Sequence, residues 1–96
     1  MDITDVFPLV KSGRAFITVT SVEEKQVLMD LCSQYWRPAT GCNARSWKRF
    51  PHLIFYRGDP AFAGKSADAF IAEGKIQYLF KDLIEKPIVI DTSDLL

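Results

Sequence analysis

The stretch RAFITVTSVEEKQVLMDLCSQY, residues 14–35, decides the fold. Phe16, Ile17, Thr18, Val19 and Thr20 are all strand formers, and they predict a first strand over 14–20. Ser21-Val22-Glu23-Glu24 then forms a capping box. The Ser21 hydroxyl accepts from the Glu24 amide, and the Glu24 carboxylate reaches back to the Ser21 amide. Both glutamates also favour the positive end of the helix dipole. Behind the box, Val27, Leu28, Leu31, Cys32 and Tyr35 follow helical spacing and predict a helix over 22–35 with one apolar stripe. Pro38 and Gly41 stop it.

Upstream, Asp2 to Gly13 carries Val6, Leu9 and Val10 at helical spacing, with Pro8 limiting it to a turn or short helix and Gly13 suiting its stop. Downstream, residues 39–50 read as loop. HLIFYR, His52 to Arg57, reads as a strand that ends at the turn Gly58-Asp59-Pro60. Period-two geometry sets Leu53, Phe55 and Arg57 against His52, Ile54 and Tyr56. Residues 61–64 suit a short partner strand, and Ser66 to Glu73 a helical turn closed by Gly74. Residues 75–86 fit either period; the preceding glycine and the β-branched and aromatic content favour a strand at 76–80 followed by a turn. Pro87 to Asp91 reads as a final strand. The expected architecture is one α+β domain over residues 1–96: a small, mostly antiparallel sheet with one main helix packed on one face.

Composition bounds the rest. The 96 residues have apolar mass for one core, at 48% hydrophobic, and their 25% charged residues are ordinary for a folded domain. The start, Met-Asp-Ile-Thr-Asp, is acidic and no apolar run of membrane length follows, so a cytoplasmic chain with no membrane partner is expected. Cys32 and Cys42 are then reduced thiols.

Charge is distributed unevenly. Twelve basic residues balance twelve acidic ones, yet residues 31–58 hold Arg37, Arg45, Lys48, Arg49 and Arg57 with no Asp or Glu. That window carries +5 and the remainder −5. Trp36, Trp47, Phe50, Phe55 and Tyr56 thread through it. Positive charge gathered with large aromatics presents a surface to something anionic.

A strand, a Ser-x-Glu-Glu helix (Ser21 to Glu24), the pair Tyr35-Trp36 and the turn glycine Gly41 together resemble small uncharacterised proteins of phages and prophages. Trp47, HLIFYR, Gly64 and the ending Asp94-Leu95-Leu96 correspond to further parts of that pattern, while Gln34 stands where its glycine precedes the tyrosine. The resemblance implies a non-enzymatic accessory protein that acts on host machinery, host defence included, in the host cytoplasm.

No catalytic signature stands against this reading. His52 is the only histidine and has no nucleophile near it in sequence; Asp59 is the nearest acid. Nine residues separate Cys32 from Cys42, a spacing that fits neither zinc nor dithiol motifs. Cys32 belongs to the helix's apolar face, whereas Cys42 lies in the basic loop, where Arg45 would lower its pKa. The five glycines are scattered rather than clustered to wrap phosphate, and Glu23/Glu24 and Asp82/Glu85 suit capping and solvation. No cofactor is implied.

The expected contacts are Arg45, Trp47, Lys48 and Arg49, with Arg37 and Arg57 adding long-range steering. Trp36, Phe50 and Phe55 suit the core, as large aromatics usually do. Two partner classes fit. One is a host protein with an acidic surface, inhibited or modulated by docking, since Trp, Tyr and Arg dominate protein–protein hot spots. The other is an anionic ligand bound directly, single-stranded nucleic acid or a nucleotide messenger. A homodimer is a further expectation, because so small a sheet leaves edges unpaired.

Overall fold

A computed structural model describes residues 3–39 and 43–84. Helix α1 (Ile3–Lys11) leads into strand β1 (Ala15–Thr18) and helix α2 (Val22–Tyr35). A 3₁₀ turn at Ala44–Ser46 precedes β2 (His52–Tyr56) and β3 (Asp59–Ala63). Helix α3 (Ala67–Ala72), β4 (Ile76–Leu79) and α4 (Phe80–Ile84) complete the described chain. The sheet order is β3-β2-β1-β4. Both β3–β2 and β2–β1 are antiparallel, while β1 and β4 run parallel. The architecture is α+β, with two of the three strand pairings antiparallel and α2 the longest helix.

Register divides the sheet into two faces. Ile17 lies opposite Leu53 and Tyr78, and Leu53 opposite Phe62. This face packs against Val6 and Val10 of α1, Leu28 and Cys32 of α2, and Phe80 and Leu83 around α4. The other face carries Thr18 opposite His52, and His52 opposite Ala63. There α3 is the cover: Phe70 meets Phe16 at 5.0 Å and the His52 ring at 5.7 Å between centroids. All four residues of β1 are buried because both faces of that strand are roofed.

Helix α1 keeps its apolar stripe, Ile3, Val6, Phe7 and Val10, buried despite the internal Pro8, whose exposed ring removes a single donor. Gly13, at φ +83°, closes it with the Arg14 amide donating back to the Leu9 carbonyl at 2.9 Å. In the capping box the Glu24 amide donates to the Ser21 hydroxyl at 3.1 Å. The Glu24 carboxylate reaches one residue further than expected and accepts from the Thr20 amide at 2.7 Å.

Three features differ from the sequence reading in detail. The buried stripe of α2 is Lys25, Leu28 and Cys32, whereas Val27 and Tyr35 are exposed. The hairpin turn comes one residue early: Arg57 and Gly58 both take positive φ, +55° and +86°, so Asp59 and Pro60 already belong to β3. This is the type I′ geometry that matches strand twist. Pro60 is tolerated because β3 is an edge strand. After β4 the chain enters α4 directly rather than a turn, and the strand expected at 87–91 lies outside the described residues.

Candidate functional site

The basic loop is built on a lysine. Lys25 of α2 has no solvent exposure, and its Nζ donates to the Ser46 hydroxyl at 3.1 Å and to the Phe50 carbonyl at 3.0 Å. The same ammonium lies 4.5 Å from the centre of the Phe62 ring. Ser46 in turn donates to the Asn43 carbonyl at 2.7 Å, and its own carbonyl accepts from the Arg49 and Phe50 amides. Residues 43–50 are therefore wound tightly on themselves and tied to helix and sheet at once.

Gly64 fixes the loop from the other side. A β-carbon there would stand 2.4 Å from the Arg49 carbonyl oxygen, so only glycine lets the end of β3 approach so closely. Sequence reasoning used neither Lys25 nor Gly64 as a site residue. The signal for Lys25 is its spacing, since 25, 28 and 32 fall on one helical stripe.

This scaffold leaves Arg45, Lys48 and Arg49 exposed on one loop, with no ion pair among the described residues. Lys48 lies over the Trp47 ring at 5.7 Å, and Arg49 over Phe50 at 5.8 Å. Trp47 itself is half-buried and packs against the core. Trp36 is half-buried too, wedged between Phe7 and Phe55 at 4.6 and 4.5 Å.

Arg37 and Arg57 stand elsewhere, at the far end of β2, about 13 Å along a strand of that length. Arg37 pairs with Asp59 at 3.0 Å. Arg57 caps the hairpin over Tyr56 at 5.2 Å, and Tyr56 is 57% exposed. The positive window is thus split into a loop trio before β2 and a hairpin pair after it. One member of that pair is compensated by an acid from outside the window.

On the outer face of the sheet, α3 covers the β1 side and leaves a hollow of about 490 Å³ over β2 and β3. Ile54, Tyr56, Ala61, Ala63 and Phe70 line it, and Lys65, Glu73 and Lys75 stand at its rim. Lys65 donates to Glu73, which holds the Glu73 carboxyl below its usual range. Lys75 donates to the Gly13 carbonyl at 2.7 Å.

His52 is buried and its Nδ1 lies 2.8 Å from the Thr18 hydroxyl, which also accepts from the Gln77 amide nitrogen at 3.1 Å. A neutral ring protonated on Nε2 accepts the Thr18 proton at Nδ1, and one protonated on Nδ1 donates to the hydroxyl instead. Burial lowers the His52 pKa. Cys32 is fully buried and burial pushes its thiol up to about 12. Among the described residues no three His, Cys, Asp or Glu side chains come together as metal ligands, and no helix is long and apolar enough to cross a membrane.

Comparison of this chain with family models, curated proteins and solved structures found no match.

Proposed function

We propose that this is a non-enzymatic binding protein, of phage or mobile-element type, that docks on a host protein through its basic loop and so inhibits or modulates it. One observation carries the reading: Arg45, Lys48 and Arg49 project from a loop held in place by the buried Lys25 and the Gly64 contact. A pre-ordered loop loses little side-chain and backbone freedom on binding, which favours affinity for a fixed acidic surface. Arg57 adds steering from the hairpin end, where the charge of Arg37 is offset by Asp59. The phage character rests on the sequence resemblance alone.

The test begins with capture of a partner from bacterial lysate on the wild-type chain. The purified partner is then titrated against the triple variant Arg45→Glu, Lys48→Glu, Arg49→Glu. Affinity should fall by about a hundredfold or more, the scale of several charge contacts at an interface, with far-UV circular dichroism unchanged. Retained affinity refutes the reading.

A second reading, direct binding of single-stranded nucleic acid or a nucleotide, is favoured by the exposed Tyr56 ring with Arg57 across it. Its signature is salt dependence, a log–log slope of roughly −0.7 per phosphate contact.

A further inference from the structure

We infer that this chain pairs with a second copy of itself through the free edge of β4, the two strands running antiparallel about a twofold axis at Gln77. The association is independent of the docking role of the basic loop.

The two margins of the sheet are not alike. Tyr56 and Asp59 close the two-residue hairpin as a bonded pair, so β3 turns the main-chain groups of Pro60 and Phe62 outward. Pro60 has no N–H to give, and just beyond the strand Gly64 lies against the Arg49 carbonyl of the basic loop. That margin is closed to a further strand. At β4 the Ile76 amide donates to the Arg14 carbonyl at 2.9 Å, and the parallel register alternates from there. The main-chain groups of Ile76 and Tyr78 therefore face β1, while those of Gln77 and the Leu79 N–H face away from the sheet. Edges of this kind are ordinarily blunted by charge or proline, yet Ile76-Gln77-Tyr78-Leu79 has neither.

Self-complementarity selects the occupant. An antiparallel pair centred on Gln77 lets the two copies of that residue exchange both main-chain bonds. The same register sets Ile76 opposite Tyr78 of the second copy, and symmetry makes that pair twice. Both side chains stand on the face of Ile17 and Leu53, and Ile76 is 54% exposed. Charge does not oppose the approach. Glu73 and Lys75 precede the strand and Lys81 and Asp82 follow it, one acid and one base at each end. An unrelated strand would have to supply this alternation by chance, whereas the second copy carries it by construction. A four-residue edge buries less than the roughly 1,000 Å² of a stable complex, so the pair is transient and half-formed at about 100 µM.

Sedimentation equilibrium of the full chain, from about 5 µM to about 1 mM, should show the mass rise from 10.9 kDa towards twice that value. In a mixture of labelled and unlabelled chains, isotope-filtered NOEs should join the Ile76 methyls to the Tyr78 ring. Amide exchange at Gln77 and Leu79 should slow as concentration rises. Ile76→Lys puts a charge on the edge at an exposed position and should weaken the dimer by about tenfold or more. The NOE arm uses the unaltered chain and decides the register even if that variant folds poorly. A chain still monomeric at about 1 mM overturns the inference. So does a dimer that is indifferent to Ile76→Lys or lacks the Ile76–Tyr78 NOE. Gln77 and Leu79 amides equally protected at every concentration overturn it as well, the edge then being covered within the chain. A dimer lost on charge reversal of Arg45, Lys48 and Arg49 but not on Ile76→Lys overturns it in favour of the basic loop.

Discussion

The Lys25 ammonium donates to the Phe50 carbonyl at 3.0 Å while resting 4.5 Å from the centre of the Phe62 ring, at a point with no solvent exposure. One side chain therefore couples the central helix, the basic loop and an edge strand. Hydrogen bonds from a charged donor in such surroundings are worth about 1.5–3 kcal/mol each, and losing the donor leaves its acceptors unsatisfied.

Lys25→Ala should thus destabilise the protein by about 3 kcal/mol, combining lost hydrogen bonds with a cavity. Lys25→Met keeps the stem's volume and avoids the cavity, and should cost about 2 kcal/mol, since the Phe50 carbonyl still loses its donor. Urea unfolding measures both. Hydrogen exchange at the Arg49 and Phe50 amides should accelerate in either variant; unchanged protection there would show that the loop holds itself.

Two glycines separate steric from conformational cost. Gly64→Ala forces a methyl against the Arg49 carbonyl and should destabilise by about 1–3 kcal/mol through overpacking. Gly58→Ala meets nothing within 4 Å and pays only for φ +86°, about 1 kcal/mol. The distinguishing readout is the NMR shift of residues 46–50, which should move in the first variant and stay put in the second.

Arg57 sits at φ +55° in the tight turn. Arg57→Asn, a residue suited to that backbone, should raise stability by about 0.5–1 kcal/mol. A thermal midpoint that falls instead would mean that the Arg57–Tyr56 contact outweighs the backbone strain.

His52 makes stability depend on pH with a definite sign. Its pKa in the folded state lies below the usual 6.5, so the unfolded chain holds the proton more tightly. Stability is full above that value, falls as pH drops through 6.5 towards the lowered pKa, and levels off beneath it. His52 is the only histidine, so His52→Gln should flatten the urea midpoint between about pH 7.5 and about pH 5.5. An equally steep variant assigns the slope to another group.

Local chemistry made much of the fold legible. Ser21 and Glu24 set the start of α2, and its observed span, Val22–Tyr35, coincides with the expected one. The strand at 76–79 was readable from Ile76 and Tyr78, but not the helix from Phe80, because both periods overlap there. The hairpin was misplaced by one residue because nothing about an arginine announces a left-handed backbone. The parallel β1–β4 pairing joins residues far apart in sequence and leaves no local mark. At the candidate site, Arg45, Lys48 and Arg49 were legible as charges on a loop. Their separation from Arg37 and Arg57 was not, since it depends on β2 running between them. Lys25 was missed because a lysine on a helix reads as solvated until its neighbours at 28 and 32 are seen to share its face.

The parallel pairing also orders the assembly of the chain. The hairpin β2–β3 zips across a two-residue turn, whereas Thr18 must find Gln77 at a separation of 59 positions. Loop closure over that distance has to wait for the intervening segments to condense, so β4 and α4 dock late and release early. Native-state amide exchange should then be faster along the margin of the sheet that carries Ile76 than at Leu53 and Phe62 of the hairpin.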